Sequence, residues 1–185
     1  MKKLKYIFLI ISIVLLCIGL FFLLQKEENE LNQWIAEDLE KLEALPLSYT
    51  LEDAIHDGYY YEENPIDKLS NSMIRFLSYN NSKHIVTLRI ATKEDTSIVL
   101  RTIFCKNRKF VMLNYRLNKE TRERNWDRVE YNYMIVPIHR EKQVYSYYLT
   151  NDKNLYEEVK ASPENDYSME SLDAIYLFSR SYTPK

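Results

Sequence analysis

VTLRIATKEDTSIVLRTIFCKNRKFVMLNY, residues 86–115, decides the fold class. Val86, Leu88 and Ile90 alternate with Thr87, Arg89 and Ala91, the period of two expected of a half-buried strand. Two further runs rich in β-branched and aromatic residues follow, Ser97 to Lys106 and Lys109 to Tyr115. The links between them, Lys93-Glu94-Asp95 and Asn107-Arg108, are short and polar. Parallel strands need long crossovers, so this spacing predicts an antiparallel meander.

On the C-terminal side, Arg128 to Ile138 reads as one more strand, turning at Arg140-Glu141 into Gln143 to Thr150. Tyr131, Tyr133, Tyr145 and Tyr147 are placed to form cross-strand aromatic pairs in that hairpin. Tyr156 to Ala161 has helical spacing, while Leu172 to Phe178 fits either a helix or an edge strand. On the N-terminal side, Thr50-Leu51-Glu52-Asp53 is a helix start, and Gly58 stops that helix in the left-handed conformation glycine adopts cheaply. Asn64-Pro65 opens a second helix with Ile66, Leu69, Met73, Phe76 and Leu77 on one face, closed by Asn80-Asn81-Ser82. The expected fold is α+β: two short helices packed on an antiparallel sheet of about five strands, in one domain over residues 46–185.

Ahead of that domain, Tyr6 to Leu24 (YIFLIISIVLLCIGLFFLL) carries no charge. As a helix its 19 residues span about 28 Å, close to the hydrocarbon thickness of a bilayer. Lys2, Lys3 and Lys5 precede it, whereas Lys26, Glu27, Glu28 and Glu30 follow. The basic excess at the start predicts a cytoplasmic N-terminus and an extracellular C-terminal domain, held by a single-pass anchor over residues 1–24. Two alternatives are a cleaved signal peptide and lipoprotein processing at Cys17. The first has a shorter apolar region ending at a small-x-small site, unlike Phe22-Leu23-Leu24-Gln25; the second meets bulky Leu16 where a small residue is wanted. Residues 25–45 form an acidic stalk helix, with seven acids against Lys26 and Lys41 and a narrow stripe of Leu31, Trp34, Ile35, Leu39, Leu42 and Leu45. Pro46 ends it.

Composition removes several function classes. The 185 residues carry 25 Lys and Arg against 27 Asp and Glu, a formal charge of -2, so the chain is neither a polycation nor an acidic tail. Only Gly19 and Gly58 are glycines, which excludes Gly-rich phosphate loops, dinucleotide fingerprints and the nucleophile elbow. His56, His84 and His139 show no metal-binding spacing, so no metal and no cofactor is implied. Cys17 and Cys105 lie in different compartments and cannot pair within the chain; Cys105, after Ile103-Phe104, is either buried and inert or free to pair between chains.

The segment Tyr49-Thr50-Leu51-Glu52-Asp53-Ala54-Ile55-His56-Asp57-Gly58, followed by a helix and by Leu88-Arg89-Ile90-Ala91-Thr92-Lys93-Glu94-Asp95, resembles a family of small, uncharacterised, membrane-tethered domains from low-GC Gram-positive bacteria. The resemblance covers roughly residues 49–150. It implies a tethered, lipoprotein-like domain of the cell envelope, and it supplies no catalytic or ligand residues.

The span 106–128 is the candidate binding region. Lys106, Arg108, Lys109, Arg116, Lys119, Arg122, Arg124 and Arg128 outnumber Glu120, Glu123 and Asp127, with Phe110, Tyr115 and Trp126 interleaved. Outside a Gram-positive cell such cations meet phosphates of wall polymers or lipid headgroups, which arginine contacts bidentately. Arg108, Arg116, Lys119, Arg122, Arg124 and Trp126 are the candidate anion-binding residues; the opposing reading is a solvated loop whose charges keep it soluble. The functional expectation is an envelope protein that binds an anionic wall polymer or another envelope protein; little nucleic acid is found in that compartment. Alternatives are a hydrolase using Glu62, Glu63 and Asp67, since paired carboxylates serve acid-base chemistry, and assembly through the stripe of Leu31, Ile35 and Leu42.

Overall fold

The structure, a computed structural model, describes residues 2–61, 69–78, 84–139, 141–165, 167 and 174–181. The chain divides into two compact units, Met1–Lys41 and Leu42–Lys185. The described residues of the first lie within α1 (Lys2–Glu43), one unbroken helix of 42 residues that stops just before Pro46. Large apolar side chains from Ile10 to Leu23 are exposed around it. Among the described residues it is the one helix long and apolar enough to cross a membrane, a candidate transmembrane helix at the N-terminus.

The second unit is α+β. Helix α2 (Leu51–His56) starts at a complete capping box: Thr50 Oγ1 accepts from the Asp53 amide at 3.1 Å, and the Asp53 carboxylate accepts from the Thr50 amide at 2.7 Å. Gly58 follows at φ +88, the left-handed position foreseen for it. Helix α3 (Asn71–Leu77) begins later than expected, because Ser70 caps it by accepting from the Met73 amide. Asn64-Pro65, Ile66 and Asn80-Asn81-Ser82 lie outside the described residues.

The meander is present, with the turn expected at Asn107-Arg108; the first turn, expected at Lys93-Glu94-Asp95, falls at Asp95-Thr96, since Lys93 and Glu94 pair within the sheet. Strands β1 (Val86–Glu94), β2 (Ser97–Lys106), β3 (Lys109–Asn118) and β4 (Arg124–Tyr131) form an antiparallel sheet in chain order. Asn107 and Arg108 both have positive φ, the geometry whose twist suits a two-residue hairpin. β2 reads as a nearly continuous apolar run because both its faces are covered, whereas β4, at the edge, is exposed along most of its length. Tyr60 caps the other edge, donating to the Arg89 carbonyl at 2.9 Å and accepting from the Ala91 amide at 2.7 Å.

The expected single sheet of about five strands is corrected, among the described residues, to two sheets with eight strands. What reads as one strand from Arg128 to Ile138 is three pieces: the end of β4, then β5 (Tyr133–Ile135) and β6 (Ile138–His139). Asn132 makes the first break. Its backbone and side-chain amides both donate to Asn151 Oδ1, at 3.0 and 2.9 Å, while Asn151 Nδ2 donates to the Glu130 carbonyl at 2.8 Å, turning the chain out of the first sheet. Pro137 makes the second, since it has no N–H for the ladder, and Ile138 donates instead to the Pro163 carbonyl at 2.7 Å. Strands β5, β6 and β8 (Ala174–Ser181) all pair with β7 (Val144–Thr150). The ambiguous tail is therefore an edge strand. Helix α4 (Lys153–Ala161) fills the stretch read as helical and starts at Asp152, whose side chain caps it. Two of the four tyrosines find other partners than the expected ones: Tyr133 stacks on Tyr156 at 4.7 Å and Tyr147 on Phe178 at 4.5 Å.

One core joins these parts. Leu88, Ile90, Ile103, Cys105, Phe110 and Met112 of the first sheet meet Tyr147, Leu149, Leu177 and Phe178 of the second, with Met73 and Phe76 of α3. Burial pushes the Cys105 thiol up to about 12, against a smaller opposing effect of the Arg108 amide. Stability contributed by the buried neutral thiol is present below the ordinary value of 9.0 and fades as pH rises toward 12. At pH 8 the thiol is therefore neutral and unreactive. In a Cys17→Ser background, iodoacetamide is expected to leave Cys105 unmodified at pH 8 and to modify it fully in denaturant; rapid native alkylation would contradict this burial.

Candidate functional site

The register shows where each expected cation goes. Arg108 sits in the β2–β3 turn, and Arg116 lies eight residues along the hairpin, roughly 27 Å away at about 3.4 Å per residue. Lys119 and Arg122 are exposed in the loop between β3 and β4, which Asn118 Oδ1 shapes by accepting from the amides of Glu120 and Thr121. Arg124 is committed to the fold: its guanidinium donates to the carbonyls of Glu43 and, at 2.7 Å, of Leu45. Trp126 pairs with Tyr115 on the sheet face opposite Arg116, and is 49% exposed. Arg108 thus stands at the far end of the hairpin from the others, whereas Arg116 and Trp126, on alternate positions of neighbouring strands, both line one notch. Arg128 pairs with Glu130 at 2.7 Å on the exposed edge.

The structure instead gathers polar groups in a notch of about 220 Å³. Two rows of cross-strand neighbours line it, Arg101, Asn114 and Asp127, then Val99, Arg116 and Asn125. Arg101 was hidden from sequence reasoning inside the apolar run Ser97 to Lys106; a single arginine in a strand buried on both faces was the available signal. Its side chain is 21% exposed and reaches Glu94 at 4.0 Å. Burial holds its pKa below the usual arginine range, with Glu94 acting in the opposite direction, and the group stays charged. Arg116 makes the closer pair with Glu94, at 2.8 Å. Asn114 Nδ2 donates to Asp127 at 2.9 Å, which fixes the orientation of the amide because a carboxylate only accepts. Asn114 Oδ1 and Arg101 Nε are both buried and have no hydrogen-bond partner among the described residues. Val99 and Ile175 supply apolar wall.

A second, more open recess of about 460 Å³ lies where the start of α2 faces the β1–β2 turn, with Lys93 and Lys119 beside Glu52, Asp95 and Glu120. Its charges alternate and the capping box already uses the polar groups of Thr50 and Asp53. Among the described residues no three His, Cys, Asp or Glu side chains converge as metal ligands would. Glu62, Glu63 and Asp67 lie outside the described residues. Compared with known proteins, the chain matches no family model, no curated protein and no solved structure.

Proposed function

We propose that the chain is a single-pass protein of a bacterial cell envelope, with its N-terminus in the cytoplasm and its α+β unit outside, and that this unit is a non-enzymatic binding module for an anionic group. The lysines before the apolar segment and the acids after it support the orientation. The resemblance of residues 49–150 to tethered envelope domains agrees with it. One observation carries the binding reading: Arg101 is about four-fifths buried in an open notch beside Arg116, with the Glu94 carboxylate 4.0 Å away and its Nε without a partner among the described residues. A charge kept at that desolvation cost, with a donor left over, suits a ligand oxygen.

The notch replaces the basic loop as the place of contact, so the informative substitutions are Arg101→Gln and Arg116→Gln. Full-length protein in detergent micelles, titrated with acetate or inorganic phosphate and followed by ligand-observed NMR, is expected to bind in a salt-sensitive manner. Arg101→Gln should weaken that binding by about tenfold or more, the worth of one charge-assisted hydrogen bond. Equal binding by the two variants and the unmodified chain would reject the site.

A further inference from the structure

Arg101, Asn114 and Asp127 are consecutive cross-strand neighbours on β2, β3 and β4, spaced at steps of about 5 Å. The two ends of this short row carry opposite charge: the Arg101 guanidinium, whose side chain is 21% exposed, and the exposed Asp127 carboxylate, which the Asn114 amide holds. Resting on the binding reading above, we infer that the notch takes a small zwitterion such as an α-amino acid, its carboxylate on the Arg101 guanidinium and its ammonium on the Asp127 carboxylate.

Charge decides between ligand classes. A simple anion meets Arg101 and sets a second negative charge beside Asp127. A simple cation meets Asp127 and faces the Arg101 and Arg116 guanidinium groups. A polyanion meets Asp127 and Glu94 with every repeat. A molecule with opposite charges one carbon apart meets both Arg101 and Asp127 and adds no net charge to a site that already balances its own. Size points the same way. The notch, at about 220 Å³, falls below the roughly 300–1,000 Å³ of sites for drug-sized ligands. Val99 and Ile175 offer a short aliphatic side chain an apolar wall.

The full chain in micelles, titrated with alanine, acetate and ethylammonium at matched ionic strength, tests this by ligand-observed NMR. Alanine is expected to saturate and to bind about tenfold or more tightly than either half-molecule, because each half forgoes one charge-assisted contact. Asp127 is exposed, so Asp127→Asn keeps the fold; it should weaken alanine by about tenfold and leave acetate unchanged or tighter. Arg101→Gln should weaken both. Acetate or phosphate binding as tightly as alanine overturns the zwitterion while sparing the anion reading. No saturable binding of any of these probes overturns both.

Discussion

Phe178→Ala is expected to remove about 3–5 kcal/mol from the stability of the Leu42–Lys185 unit, the usual cost of emptying a ring-sized volume in a closed core. The ring is fully buried, stacks on Tyr147 of β7 at 4.5 Å, and meets the edge of Tyr60 at 6.2 Å. Tyr60 is itself hydrogen-bonded to β1, so one side chain couples the second sheet to the far edge of the first. Urea unfolding of the full chain in micelles should show a lower midpoint with an unchanged slope. Tyr176→Ala is the control, since that ring is 43% exposed against Tyr148 and should cost far less. Equal losses from the two would mean that the sheets are not joined through Phe178.

Leu15→Arg combined with Leu16→Arg is expected to release the protein from membranes. Both leucines lie mid-way along the apolar part of α1 and are more than 60% exposed. Exchanging Leu for Arg at the centre of a span costs about 3–4 kcal/mol each time on insertion scales, so the pair costs roughly 6–8 kcal/mol. Alkaline carbonate should extract the variant and leave the unmodified chain in the pellet. The same preparation reports orientation. A tag after Lys185 should be removed by protease added to wall-stripped cells, and its protection would reverse the sidedness given above. Persistence of the double variant in the carbonate pellet would show that another segment holds the chain.

The meander was legible because its information is local: a period of two, polar two-residue turns and a central strand apolar on both faces all lie within residues 86–115. The same holds for the capping box at Thr50 and the left-handed Gly58. The division into two sheets was not legible, since the break at Asn132 is made by Asn151, nineteen residues away. The surroundings of the candidate cations were hidden for the same reason. Arg124 looks like a free cation in sequence, yet its partners are carbonyls 81 and 79 residues upstream. Arg101 looks like an interruption of a strand, and acquires meaning only when register sets it opposite Asn114.

The order of pairing has a consequence for how the chain can be assembled while it emerges N-terminus first. Each of β2, β3 and β4 finds its neighbour already made, so the first sheet can zip up progressively as synthesis proceeds. Every ladder of the second sheet includes β7, and β5 and β6 must wait for it. Until residue 144 has appeared, the apolar surface destined for that sheet has nothing to close over it, and this interval is when the nascent protein is most open to misassociation.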